Sequence, residues 1–115
     1  MKLTIWDRLM LTLVTRSIRV ATLDDVLVGG QILSKIELDE DERSAIGLEA
    51  NGGSLAYKMS PELDRSTEIQ LDEEERRKLF TWMSKHQGWS MSEVERTTAL
   101  AAKFADLTSA EGDRS

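Results

Sequence analysis

The sequence predicts a mostly helical α+β domain, with about five helices and a small antiparallel sheet containing a hairpin near residues 46–59. Three observations carry that expectation. Apolar residues recur at helical spacing behind a Ser, Thr or Asp that has an acid three residues on: Thr4 with Asp7, Thr22 with Asp25, Asp39 with Glu42, Asp72 with Glu75 and Ser92 with Glu95. Side chain and backbone satisfy each other at such helix starts. An Asn51-Gly52-Gly53 turn lies between two short extended runs. Finally, Ile36–Ile46 is repeated at Ile69–Leu79, both copies reading Ile-x-Leu-Asp-acid-acid-Glu-Arg before a further aliphatic residue.

The first helix is expected from Ile5 to about Thr15, with Ile5, Leu9 and Leu13 beside Trp6, Met10 and Val14. Arg16–Val20 is too short for a defined strand and reads as a connector. A second helix starts behind Thr22, and Leu23, Val26, Leu27, Ile32, Leu33 and Ile36 are read as one apolar stripe with Gly29 and Gly30 inside it. Those glycines mark close packing, a kink or a helix end. Asp39 caps a short helix to about Ala45. Residues 46–50 and 54–59 flank the turn as a hairpin, because asparagine and glycine accept the positive φ of tight turns. Pro61 then separates the hairpin from a third strand at Thr67–Leu71, and the three strands are expected in one sheet.

Asp72 and Glu75 start the fourth helix, which carries three acid-to-base pairs at i,i+4: Asp72 with Arg76, Glu73 with Arg77 and Glu74 with Lys78. Each is worth only ~0.2–0.5 kcal/mol, and their order also suits the helix dipole. Leu79, Phe80, Trp82 and Met83 form its apolar face, which His86 can extend, and Gly88 is expected to end it. Ser92 opens the last helix, carried by Val94, Leu100, Ala101, Phe104 and Leu107. One domain over residues 1–108 and a frayed tail over 109–115 complete the organisation.

Composition narrows the function. The chain has 115 residues, no cysteine and a net charge of −6, with thirteen acids against three bases between Glu37 and Glu75. Thiolate metal sites, disulfides and cysteine nucleophiles are therefore excluded. Without an apolar run of ~20 residues or a signal-like start, the expected location is the cytoplasm. Three helices followed by a hairpin suggest a winged-helix module, but its third helix would set Asp39, Glu40, Asp41 and Glu42 against phosphate, so duplex DNA binding is not expected. The acids lack the Asp-x-Asp-x-Asp-Gly spacing of a calcium loop, and capping accounts for them; no metal or cofactor is expected. No serine has a nucleophile's context, His86 stands alone near a helix end, and the chain is expected not to be an enzyme.

Binding to protein remains. Trp6 and Trp82 lie on apolar stripes and read as core, whereas Trp89, between helices beside Gly88, reads as exposed at an interface. Trp82, Met83, His86 and Trp89 are thus the candidate partner-binding residues. Glu40, Asp41, Glu73 and Glu74 form a candidate acidic surface that would suit a basic partner or occupy a nucleic-acid-binding surface on another protein.

Leu-Thr-Ile-Trp-Asp-Arg-Leu-Met-Leu at the start, Thr-Leu-Asp-Asp-Val-Leu, Leu-Asp-Glu-Asp-Glu-Arg and Ile-Gln-Leu-Asp-Glu-Glu-Glu-Arg together resemble a group of small phage and prophage proteins across residues 3–104. Arg16–Val20 departs from the Pro- and Gly-containing loop of that group. The resemblance rests on helix starts and apolar positions. It implies an accessory protein of a phage or mobile element, acting in the host cytoplasm by protein contacts or as a structural part of the particle, with no transferable active site. Independently of that resemblance, the chain is expected to self-associate as a homo-oligomer.

Overall fold

The computed structural model describes the backbone of residues 1–19, 21–51 and 54–112, and the side chains of 1–19, 21–49 and 56–104. In chain order it contains β1 (Lys2–Thr4), α1 (Ile5–Arg16), α2 (Leu23–Ile36), α3 (Glu40–Ala45), β2 (Glu49–Asn51), β3 (Ser54–Ala56), β4 (Ser66–Glu68), α4 (Glu73–Lys85) and α5 (Val94–Gly112). Tight 3-10 turns occupy Pro61–Asp64 and Met91–Glu93. The mostly helical α+β class is as the sequence predicts. The helix α5 runs through Gly112, and residues 113–115 lie outside the described residues.

Four of the five expected caps close in both directions, at Thr4 with Asp7, Thr22 with Asp25, Asp39 with Glu42 and Asp72 with Glu75. The fifth does not. Ser90, not Ser92, accepts the turn's backbone N–H, and the chain enters α5 directly out of the 3-10 turn, so no new cap is required at Ser92. The helix α3 ends at a position no apolar pattern marks: Gly47 has φ +60°, and the N–H groups of Gly47 and Leu48 reach back to Ser44 and Arg43 carbonyls at 3.1 and 3.0 Å. This left-handed end is what glycine permits without a Cβ penalty.

The hairpin is present, with Glu49 opposite Ala56 and Asn51 opposite Ser54; Gly52 and Gly53 lie outside the described residues. The single three-stranded sheet is not formed. The strand β4 pairs with β1 instead, antiparallel with Leu3 opposite Thr67, in a separate two-stranded sheet. Lys2–Thr4 is too short to show alternation, but pairing there buries Leu3 and leads straight into α1.

Helix α1 is the element the others pack on: α2 and α4 lie against it, and α5 lies against α4. Trp6, Leu9, Val14, Ile32, Leu79 and Phe104 are among the buried residues of the common core. The indole of Trp6 also donates to the Tyr57 hydroxyl at 3.1 Å, tying the end of the hairpin to α1. Two charged residues follow Trp6 into the interior. Asp7 caps α1 and meets Lys103 of α5 at 2.5 Å, while Arg8 carries the α2–α3 junction. The Arg8 guanidinium donates to the Ile36 carbonyl at 3.0 Å and the Glu37 carbonyl at 2.9 Å, and pairs with Glu42, the capping acid of α3.

Truncating one member of a buried, hydrogen-bonded ion pair strands the other, and Arg8 additionally leaves two carbonyls without their donor. Arg8→Ala is expected to lower stability by about 3–5 kcal/mol in urea unfolding. Arg8→Lys should recover only part of this, because one ammonium nitrogen cannot span acceptors arranged for a planar fork.

Candidate functional site

Trp82, Met83, His86 and Trp89, the aromatic exit of α4, are brought together where that helix ends, but Trp89 is not the exposed side chain expected. Helix α4 stops at Lys85, and His86 turns the chain extended (φ −70°, ψ 136°), two residues before Gly88. Trp82 and Met83 are buried. Trp89 folds back, donates its indole N–H to the Met83 carbonyl at 3.1 Å and meets the His86 ring edge-on at 5.3 Å. It is half-buried. The reason is mutual need: the last carbonyls of a helix lack partners, and a packed indole N–H requires an acceptor. Gly88 therefore acts through space, not φ, since a Cβ there would come within 2.5 Å of His86 Nε2.

A groove of about 530 Å³ opens beside this exit, with Val14, Ile18 and Trp82 as its apolar lining and Arg19, Lys85 and His86 around them. Both α1 and α4 end there, so carbonyl ends give the groove partial negative charge that the two cations offset. Ser17 Oγ lies 3.3 Å from His86 Nδ1, but its one proton is donated to the Val14 carbonyl at 2.9 Å. Ser17 can then only accept from the ring, which is the reverse of nucleophile activation. Among the described residues no group of three or more His, Cys, Asp or Glu side chains is placed to hold a metal ion.

The second site is on α2. Val28, Gly29, Ile32 and Ile36 are buried, whereas Leu23, Val26 and Leu27 are 74%, 60% and 59% exposed. The apolar stripe read from the sequence is therefore two stripes on opposite sides of one helix. At 100° per residue, Leu23, Val26, Leu27 and Gly30 share a direction about 180° from Ile32. The helix runs unbroken through both glycines, so neither ends it. Gly29 is a packing contact, with Thr15 Cγ2 and Trp82 Cη2 at 3.5 and 3.8 Å from where a Cβ would stand, and Gly30 faces open space. A second groove of about 360 Å³, bordered by Ile18, Val26, Gly30, Leu33 and Trp82, continues the outward face toward α1.

The acidic candidates Glu40, Asp41, Glu73 and Glu74 are all exposed, on the first turns of α3 and α4. Their neighbours Glu42 and Glu75 turn inward, Glu42 to Arg8 and Glu75 to Lys35 at 2.6 Å. Of the expected helix pairs Glu73 with Arg77 forms, at 2.8 Å. Lys78 instead crosses to α2, reaching Asp25 at 2.7 Å and Asp24 at 3.2 Å, because a tertiary partner with a fixed carboxylate outweighs a solvated one four residues away. Sequence reasoning missed the buried Asp7, Arg8 and Glu75 and the outward face of α2; the separate i,i+3,i+4,i+7 set Leu23, Val26, Leu27 and Gly30 was the available signal.

Among the described residues no helix is long and apolar enough to cross a membrane. Comparisons with protein-family models, with curated proteins and with solved structures found no match.

The Lys78 hydrogen bond, followed by the Thr22 backbone N–H, holds the Asp25 carboxyl below the usual carboxylate range. The folded chain thus takes up this proton less readily than the unfolded chain. The stabilisation is full above about pH 4, the ordinary aspartate value, and is lost as pH falls through the lowered folded-state value. Urea midpoints of wild type and Asp25→Asn should be well separated near neutral pH and converge in acid; a gap unchanged by pH would show that the ion pair is not its source.

Proposed function

We propose that the chain is a non-catalytic interaction module that binds a protein partner through the outward face of α2. The observation that carries this reading is the exposure of Leu23, Val26 and Leu27 side by side on a helix whose other face already fills the core. Single exposed apolar residues are ordinary, but three adjacent ones continuous with a groove form a contact surface. Covering each of them would gain about 1.5–3 kcal/mol, which is the scale that makes a residue matter in binding. Helix faces of this kind meet partners through apolar anchors at i, i+3, i+4 and i+7. The aromatic exit supports this surface from behind, since Trp82 stands between its groove and the one at His86. A phage or mobile-element accessory role, as the sequence resemblance implies, is compatible with a small module of this type.

The test is capture from a lysate of the source cells, followed by binding of the identified protein in purified form. Leu27→Lys and Val26→Lys should each weaken binding at least tenfold while leaving the melting temperature unchanged, because both side chains already face water. Trp89→Ala should act through stability instead. Binding that survives both lysine variants but is lost when Glu40, Asp41, Glu73 and Glu74 are neutralised would replace this reading with that of an acidic inhibitor of a nucleic-acid-binding protein.

A further inference from the structure

Resting on the assignment of the α2 face as the contact surface, we propose that its occupant is a second copy of the same face, the two α2 helices packing antiparallel about a two-fold axis. The pattern along the face is self-complementary in that orientation. Its first half carries the large residues Leu23 and Leu27, and its second half the small residues Gly30 and Ser34. An antiparallel pair centred near residues 28–30 sets Leu27 over Gly30 of the second copy and Leu23 over its Ser34, and the symmetry repeats both contacts. No atom of the described residues lies within 4 Å of the Cβ position at Gly30, so the gap that would receive a leucine is open among them. On one edge of the face Val26 meets Leu33 of the other copy.

The charges complement in the same register. On the opposite edge Asp24, near the start of α2, comes beside Lys35, near its end, and the two-fold axis makes the pair twice. Asp24 is 66% and Lys35 39% exposed, and each holds its intramolecular partner, Lys78 at 3.2 Å and Glu75 at 2.6 Å, with surface to spare. Antiparallel packing also opposes the two helix dipoles favourably. A parallel pair loses this: Gly30 would face Gly30 across a void, Leu27 would crowd Leu27, and the charged edge of Asp24 and Lys35 would lie against the apolar edge of Val26 and Leu33 of the other copy. A 14-residue helix offers about 21 Å of contact, at the small end of specific interfaces, so a dissociation constant of about 10–100 µM is expected.

Sedimentation equilibrium of the whole chain from about 5 to about 500 µM spans that range. Wild type should pass from monomer to dimer, and Leu27→Lys should weaken the dimer at least tenfold. The sharper variant is Gly30→Leu, which adds apolar surface in open space and therefore keeps the fold. It should weaken the dimer at least tenfold by filling the gap Leu27 of the other copy enters; a dimer strengthened by it would be nonspecific adhesion and would overturn the proposal. Because the chain has no cysteine, an oxidised mixture of the Leu23→Cys and Ser34→Cys variants should give a mixed disulfide that neither gives alone, while efficient self-linking of each would indicate the parallel pair and overturn the antiparallel one. Wild type that stays monomeric at 500 µM overturns self-pairing, and in that case retained loss of capture by Leu27→Lys leaves the module reading standing for a different partner.

Discussion

The fold depends on one buried charge, the guanidinium of Arg8. A charge taken into the interior is costly unless every donor finds an acceptor, and Arg8 finds them at one place only, where α2 ends and α3 begins. Its fork takes the Ile36 and Glu37 carbonyls, which the end of α2 leaves without helical partners, and Glu42, which is also closing the cap of α3. A single side chain on α1 thereby fixes the C-terminus of one helix and the N-terminus of the next. The apolar core gives the packing its strength, and Arg8 gives the α2–α3 corner its position.

With that corner fixed, the rest of α2 is constrained along its length. Lys35 in its last turn meets Glu75, and Asp24 and Asp25 in its first turn meet Lys78, so α4 holds both ends. Between them Gly29 lets Trp82 and Thr15 come close. All of these contacts lie on one side of the helix or at its margins. The opposite side, Leu23, Val26, Leu27 and Gly30, is left outside because no contact among the described residues reaches around to it.

The local grammar of the chain was legible. Caps at Thr4, Thr22, Asp39 and Asp72 stand where their hydroxyl or carboxyl precedes an acid by three, because that chemistry is complete within one helical turn. What was not legible depends on residues far apart. Nothing near Lys2–Thr4 announces a strand, since its partner Ser66–Glu68 lies more than sixty residues on. Arg8 reads as an interruption of an apolar run until the carbonyls of α2 are beside it. Trp89 looks unanchored in sequence because its acceptor is a backbone carbonyl, which no side-chain pattern displays. On α2 the failure was different: both apolar stripes were visible, and merging Leu23, Val26 and Leu27 with Ile32 and Ile36 hid a helix that is apolar on two sides.

The 33-residue repeat shows why shared local chemistry need not mean shared function. Asp39 with Glu42 and Asp72 with Glu75 make the same cap, yet their glutamates face different cations. Glu42 meets the buried fork of Arg8; Glu75, itself 1% exposed, meets Lys35, whose chain still reaches water. In each copy the capping glutamate is withdrawn into the fold and the two acids before it are left on the surface, so the acidic display is one acid in four smaller than the sequence offers. Half of each charge run, its capping aspartate and glutamate, is therefore a structural device. A helix start needs acid, but a helix already packed on one side does not need leucine on the other, and that asymmetry between required and unrequired exposure is the physical ground of the proposal that α2 carries recognition.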